Sequence, residues 1–301
     1  MHVKPLYAAI EAGGTKILVS VGRDYQSGVQ CRIPTEDPNT TLEKVVCFIR
    51  EQIKLQGPIE AIGLASFGPI GVNASANDYG QIGKTPKPYW SNVNLHSALI
   101  ELGVPVIIES DVNGAALAES KSLLPANQGR LVYVTIGTGL GAGVADRGHV
   151  SNGVHHPEMG HITVARHPRD TYEGHCPFHQ DCLEGLVCGP AIIDHWGLDL
   201  SQLEPEHEAH EITSFYLGQL CANIFLTYAP DIIILGGGVS LTPGLIERIR
   251  DATHKQLGGY LQRFNSRDAM STAIQAPSLG THSGIAGAYL LATTGKNSIF
   301  L

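Results

Sequence analysis

Twice, half a chain apart, an apolar strand runs into a glycine turn and out into a second apolar strand. Residues 6–10 are apolar and lead into Glu11-Ala-Gly-Gly-Thr-Lys16, after which residues 17–21 resume the strand. Residues 131–136 lead into Gly137-Thr-Gly-Leu-Gly-Ala-Gly143, and Val144-Ala145 resume it. Strand, glycine turn, strand predicts a hairpin, and its recurrence predicts two related halves. Glycine at successive turn positions lets backbone N–H groups point into one small volume, a nest that binds anions and commonly phosphate. Lys16 adds charge at the end of the first turn. A third run, Gly236-Gly-Gly238, closes an apolar stretch at residues 231–235. Each turn alone could be an ordinary hairpin; the set of three favours phosphate. No Walker A match exists, because Asp78 stands where Gly83-Lys84-Thr85 would need the first glycine. A Rossmann reading fails too, since strands rather than helices follow the first two turns.

The remaining pattern mixes helices with strands and predicts an α/β architecture. Leu42, Val45, Val46, Ile49 and Ile53 give residues 41–56 helical spacing. Residues 61–65 read as a strand that breaks at Ser66-Phe-Gly-Pro69. Residues 95–102 read as a helix, 104–108 as a buried strand, 113–124 as an Ala-rich helix and 283–293 as a closing Ala/Gly-rich helix. The 301 residues suit two domains of ordinary size. Hydrophobic residues at 43% and charged residues at 16% give a globular balance. Twenty basic against 28 acidic residues, a net charge of −8, exclude a general nucleic-acid footprint. No apolar run reaches the length of a membrane span, and the start lacks the apolar core of a signal peptide. The six Cys read as intracellular thiols or metal ligands, which makes the cytoplasm the expected compartment.

Residues 149–188 differ from the rest. They hold seven of the 14 His and three of the six Cys with little periodicity, and they predict an irregular, metal-pinned insertion. Cys176-Pro-Phe-His179-Gln-Asp-Cys182 offers three soft or borderline ligands, and His161 completes a tetrahedral structural zinc set. His155, His156 and His175 are the other candidates for the fourth ligand, and a chance cluster of surface His and inert Cys is the alternative to a metal. Four protein ligands leave no open position for water, so such a metal would hold the loop rather than catalyse. Cys188, beside Gly189-Pro190, reads as a buried thiol. Asp111 follows the strand at 104–108, where open α/β sheets place ligands. It could accept a proton from an attacking hydroxyl or simply cap the helix that follows. Glu158 and Glu184 flank the metal ligands; rigid carboxylates there suit hydroxyl recognition, and a solvated acidic loop is the alternative.

Taken in order, these motifs resemble the ROK family of bacterial sugar kinases, within the actin/hexokinase-like ATPase superfamily. The resemblance is carried by Glu11-Ala-Gly-Gly-Thr-Lys16, Asp111-Val-Asn-Gly-Ala-Ala-Leu-Ala-Glu119, Thr135-Ile-Gly-Thr-Gly-Leu-Gly141, Pro157-Glu-Met-Gly-His161, the Cys176–Cys182 cluster with Leu183-Glu184-Gly185, and Leu235-Gly-Gly-Gly-Val239. Together they cover most of the chain. Ser66-Phe-Gly-Pro69, Thr85-Pro-Lys87 with Trp90, and His156-Pro-Glu-Met-Gly-His161 are similar to the fructokinase branch. Glu11 stands where many members carry Asp, and His179 replaces the middle Cys of the usual Cys-x-Cys-Gly.

The resemblance implies two actin-like (ribonuclease H-like) lobes with a central cleft and a zinc-pinned loop. One lobe would span 1–118, closed by a C-terminal helix at about 283–301. The other would span 119–282, with the zinc loop and nucleotide contacts. It further implies ATP with Mg²⁺ as cofactors and a structural Zn²⁺ on His161, Cys176, His179 and Cys182. Gly13, Gly14, Thr15, Lys16, Thr138 and Gly139 would face the ATP phosphates, and Gly236, Gly237 and Gly238 the adenosine. Asp111 would be the base on the sugar 6-hydroxyl. Glu158, His161 and Glu184 would bind sugar hydroxyls, with Gly68 and Asn113 near the substrate. The implied protein is a homodimeric hexose kinase with fructose favoured; mannose, glucose or N-acetylmannosamine are alternative substrates. A sugar-sensing regulator of the same family is the remote alternative. It would carry a DNA-binding domain before the first turn, which here begins at Glu11.

Overall fold

The computed structural model describes residues 4–126 and 128–294. The elements run β1 (Leu6–Ala12), β2 (Lys16–Gly22), β3 (Val29–Pro34), α1 (Pro38–Gln56), β4 (Ile59–Ser66), α2 (Leu95–Leu99), β5 (Val106–Ser110) and α3 (Asp111–Leu123). They continue with β6 (Arg130–Ile136), β7 (Leu140–Asp146), β8 (His149–Val150), α4 (Leu183–Val187), α5 (Gly189–Trp196), α6 (Glu208–Thr227) and β9 (Ile232–Gly236). Last come α7 (Leu245–Leu257), α8 (Arg267–Ala273), β10 (Ile274–Gln275) and α9 (Ser283–Thr294). The closing helix expected to about residue 301 is described to Thr294; its remainder, like residues 1–3, lies outside the described residues. No helix among the described residues is long and apolar enough to cross a membrane.

The chain is α/β with two five-stranded mixed sheets, of order β3-β2-β1-β4-β5 and β10-β9-β6-β7-β8. Reversed, the second order maps onto the first strand for strand, with β6 in the place of β1. In the first sheet β2 pairs antiparallel with β1 and β3, while β1, β4 and β5 are parallel neighbours. In the second, β7 and β8 are antiparallel, and β6, β9 and β10 are parallel neighbours. Two compact units result: Met1–Asn127 with Gly143–His156 and Leu279–Leu301, and Gln128–Ala142 with Pro157–Ser278.

The two-residue period of a strand sorts the first sheet's side chains onto two faces. Ala8, Ile10 and Ala12 of β1 join Ile62 and Leu64 of β4 and Val106 and Ile108 of β5 in one cluster, with Val45 and Ile49 of α1 and the fully buried Trp90. The residues between them, Ala9, Ala61, Ala65 and Ile107, face Leu117 of α3 and Ile285, Ala288 and Leu291 of α9. This second face is made of small residues so that backbones can touch. A Cβ on Gly63 of β4 would sit 1.9 Å from the carbonyl oxygen of Ala288, and one on Gly287 of α9 would sit 2.1 Å from that of Gly114. The Ala/Gly bias of the closing helix is thus a packing requirement. At the start of α9, the buried carboxylate of Glu119 accepts from the Leu279 amide (3.1 Å) and the Ser283 hydroxyl (2.6 Å).

Several elements depart from the sequence expectation. β3, which is not among the expected strands, alternates Val29, Cys31 and Ile33 with polar residues, but as an edge strand it is largely exposed and buries only Ile33. The strand expected at 104–108 begins at Val106, since Pro105 has no N–H for the ladder. The helix expected over 95–102 ends as α2 and continues as a 3₁₀ turn. α6 is apolar nearly all round because it is buried on most sides, so it shows no stripe. It also orders the loop of the second unit: Tyr216 donates to the Asp170 carboxylate (2.5 Å), and the Gln219 amide exchanges two hydrogen bonds with the backbone of Ala165 (2.9 and 3.0 Å).

Gly63→Ala should therefore destabilise the first unit. Overpacking costs ~1–3 kcal/mol, which corresponds to a fall of roughly 2–4 °C in unfolding midpoint per kcal/mol. Differential scanning calorimetry measures it, and an unchanged midpoint would contradict the backbone contact of α9 with β4.

Candidate active site

Parallel pairing sends equivalent strand ends to the same edge. In the first unit Ala12 is in register with Ser66, and Ser66 with Ser110. The segments leaving that edge are the first glycine turn, the Phe67-Gly68-Pro69 turn and Asp111. Two strand spacings separate the first from the last, about 10 Å. The Phe67 amide donates to the Ala12 carbonyl (2.8 Å), which ties the first two segments together. Gly13 closes the hairpin by donating to Lys16 (2.9 Å). Thr35 holds the turn through its hydroxyl on the Gly13 carbonyl (2.8 Å) and its amide on the Thr15 carbonyl (3.0 Å). A side chain on Gly14 would meet nothing, so this amide edge is open, and Thr15 and Lys16 are exposed beside it.

Glu11 lies beneath that turn. Burial raises its carboxyl above the usual carboxylate range, against the opposing influence of Lys16, His282 and a hydrogen bond from the Ile285 amide. A Cβ on Gly284 would fall 2.5 Å from the Glu11 carboxyl, so the first turn of α9 is shaped around the acid. Gly68 is similarly constrained: a Cβ there would lie 3.1 Å from the buried imidazole of His156, whose Nε2 accepts from the Ile70 amide (3.3 Å).

Asp111 is the first residue of α3, and Ser110 rather than Asp111 caps that helix by accepting from the Asn113 amide (3.3 Å). Asp111 Oδ1 accepts from the Val112 amide (2.9 Å), which holds its carboxylate at the helix start beside that cap. Asn113 is fully buried, its Nδ2 directed at Glu109 (2.9 Å) and Asn152 (2.8 Å) and its Oδ1 at the Val144 amide (3.1 Å). Glu109 and Asn152 are residues that the motif reading missed. The available signal was a carboxylate inside the otherwise apolar run of β5.

The second unit repeats the arrangement. Thr135 is in register with Gly236, so the Gly137–Gly141 turn and the triple glycine leave one edge. A Cβ on Gly137 would lie 3.9 Å from the Gly238 amide, which makes the two turns neighbours across a hundred residues of sequence. Gly237 has φ +87°, and a Cβ there would clash with the Ile136 carbonyl at 2.3 Å. Thr138 is exposed at the tip of its turn. Glu184, in the first turn of α4, accepts from the Leu140 amide (2.8 Å). Its Oε1 lies 3.9 Å from Nε2 of His161, and both side chains are about one-quarter exposed. Glu158 leads into the 3₁₀ turn that holds His161, and Gly160 of that turn packs on the Leu140 carbonyl.

His161, Cys176, His179 and Cys182 converge, their ligand atoms all within 4.8 Å of one another. Nδ1 of His161 is 3.5 Å from Cys182 Sγ and 3.8 Å from Cys176 Sγ, and Nδ1 of His179 is 3.8 Å from Cys176 Sγ. Tetrahedral zinc separates such atoms by about 3.4–3.8 Å, so spacing and donor chemistry fit. Burial, together with the neighbouring Cys176 thiol, pushes the Cys182 thiol up. The competing histidines point elsewhere: His155 Nδ1 toward the His156 carbonyl (2.6 Å), His156 toward Ile70, and His175 toward Asp194 (3.6 Å). Cys188 is a buried thiol outside the cluster, pushed up to about 11 by burial.

A model of the ROK family matches residues 7–295. The fructokinase of Zymomonas mobilis subsp. mobilis is 38% identical over 300 residues, covering 98% of either chain. That of Lactococcus lactis subsp. cremoris is 39% identical over 259 residues, covering 85% of this chain and 86% of the relative. The crystal structure of the ROK hexokinase from Thermus thermophilus is similar with a TM-score of 0.75 and 26% identity, covering 96% of this chain and 98% of that one. Glycine turns at the strand ends of both units, matched nearly end to end by the family pattern, establish that the chain belongs to the ROK family.

Proposed function

We propose that this protein is a fructokinase that transfers the γ-phosphoryl group of ATP to the 6-hydroxyl of fructose. The observation that carries the reading is the register of Ala12, Ser66 and Ser110, which brings an open amide edge and Asp111 to one end of a sheet. The fructokinases to which the chain is 38–39% identical support fructose over other hexoses.

Phosphoryl transfer needs positioning and charge stabilisation more than covalent chemistry. In this reading the amides of Gly14, Thr15, Thr138 and Gly139 bind phosphate oxygens, Gly13 closes the turn that presents the first two by donating to Lys16, and the Lys16 side chain adds charge. Gly236, Gly237 and Gly238 accommodate the nucleoside: Gly236 and Gly237 pack on Tyr133 and Ile136, and Gly238 leaves open space at the turn. Asp111 orients the attacking hydroxyl and takes its proton. Glu158, His161 and Glu184 hydrogen-bond the remaining hydroxyls, and Gly68 lets the sugar approach the backbone. When bound, Mg²⁺ would supply further charge neutralisation, and Glu11 offers the oxygen donor it prefers. His161, Cys176, His179 and Cys182 form the proposed structural zinc set. With Nδ1 of His161 on the metal, Nε2 must carry a proton and becomes a donor. The zinc loop would in this way orient one sugar ligand.

An ADP-release assay across fructose, mannose, glucose and N-acetylmannosamine should give fructose the highest kcat/KM; a tenfold preference for another hexose would reassign the substrate. Asp111→Asn should lower kcat by ~10²–10⁴-fold in a folded protein, and near-normal turnover would remove Asp111 from the role of base. Cys176→Ser should lose bound zinc by metal analysis, raise the sugar KM and speed proteolysis within residues 149–188. Unchanged kinetics in a verified zinc-free protein would break the link through His161.

A further inference from the structure

We propose that Glu109, with Asn113 and Asn152, forms a buried clamp that positions Asp111 for proton abstraction; this rests on the kinase reading above, in which Asp111 is the base.

Glu109 lies in β5 among Val106, Ile107 and Ile108, and none of its surface is exposed. A carboxylate so placed requires donors. Three reach it: the Ser110 amide (3.2 Å) and Asn113 Nδ2 (2.9 Å) on Oε2, and Asn152 Nδ2 (2.7 Å) on Oε1. Asn113 Nδ2 also donates to Asn152 Oδ1 (2.8 Å), which closes a ring of three side chains, and Asn113 Oδ1 accepts from Val144 (3.1 Å). The ring thereby fastens four segments of the first unit: the end of β5, the first turn of α3, the part of β7 from Gly143 on and the loop after β8. β7 can approach because residue 143 is glycine; a Cβ there would lie 2.3 Å from the Val112 carbonyl carbon.

Asp111 stands between residues 110 and 113, both bonded to Glu109, and Ser110 in turn caps α3. The backbone that aims the base is thus held on both sides. Asn113, with its amide and carbonyl both engaged by protein groups, acts from behind Asp111 rather than on the sugar. A displacement of about 1 Å at a reacting group can cost ~10²-fold in rate, so the clamp is a positioning device whose failure should appear in kcat.

Glu109→Gln keeps the shape and changes one atom's role. The fixed Ser110 amide retains the remaining oxygen, so the new NH₂ faces Asn152 Nδ2, donor against donor. Adding Asn152→Asp turns that partner into an acceptor for both the new amide and Asn113. The test is steady-state kinetics of the full-length parent, Glu109→Gln, and Glu109→Gln with Asn152→Asp, using ATP and fructose. The assays run at pH 8, above the value of about 7 to which burial raises Glu109. Rates are taken per folded protein, with thermal unfolding of each. Glu109→Gln is expected to lower kcat by about 10–100-fold, with both KM values within about threefold, and the double variant to recover most of the loss. A single variant within about threefold of the parent, or a double variant no faster than the single, would overturn the clamp. Should Glu109→Gln not fold, Asn152→Ala, which removes the donor on Oε1 and the acceptor of Asn113 Nδ2 at a partly exposed site, must show the same kcat-selective loss or the proposal fails. A parent that phosphorylates no hexose overturns the kinase reading and this inference together, whereas an active parent indifferent to Glu109→Gln overturns the inference alone.

Discussion

Parallel pairing of β1, β4 and β5 is the constraint on which the candidate site depends. Parallel strands cannot be joined by tight turns, so each return passes through a crossover and every strand delivers its carboxyl end to the same edge. Ala12, Ser66 and Ser110 meet there because their ladders share one register. A slip of one residue in β5 would turn Val106 and Ile108 out of one core and Ile107 out of the other. The apolar packing on both faces of the sheet therefore fixes where Asp111 begins. The same logic acts in the second unit, where Thr135 and Gly236 align two glycine turns.

Packing so tight has a chemical consequence. The face of the first sheet that carries α9 and α3 is built from Ala and Gly, and backbones touch at Gly63 and Gly287. Such a face has no room for water to solvate charge, yet Glu109 and Glu119 are buried in this unit. Each survives by accepting from nearby donors: Glu109 from two asparagines and a backbone amide, Glu119 from the amide and hydroxyl at the start of α9. Buried acceptors with several partners are geometrically demanding. They fix distances where they act: Glu109 at the start of the helix that carries Asp111, and Glu119 between that helix and the start of α9.

The second unit solves a different problem. Its loop from residue 157 to 182 has almost no regular structure and little apolar core of its own. α6 pins one part of it through Tyr216 and Gln219, and the His/Cys cluster gathers another. Glu184 and His161 lie where these anchors meet the second glycine turn. The carboxylate and imidazole are thus oriented by groups that would not themselves touch a substrate.

Local chemistry was readable directly from the chain. Glycine turns between apolar runs, the spacing of Leu42 to Ile53, the Cys176 to Cys182 ligands and an acid after a buried strand each depend on neighbours in sequence. What escaped depended on distant partners. β3 is largely exposed because it is an edge, and α6 lacks a stripe because it is buried on most sides. Glu109 drew no notice in β5, because its partner Asn152, like the Asn152 and Val144 partners of Asn113, lies some 30 to 40 residues away. Sequence determined which residues could bind phosphate, metal or a proton, because those capacities belong to individual side chains and short turns. Only the tertiary structure decided which carboxylates are buried and which amides answer them, because strand register and glycine-permitted backbone contact are properties of segments that meet in space.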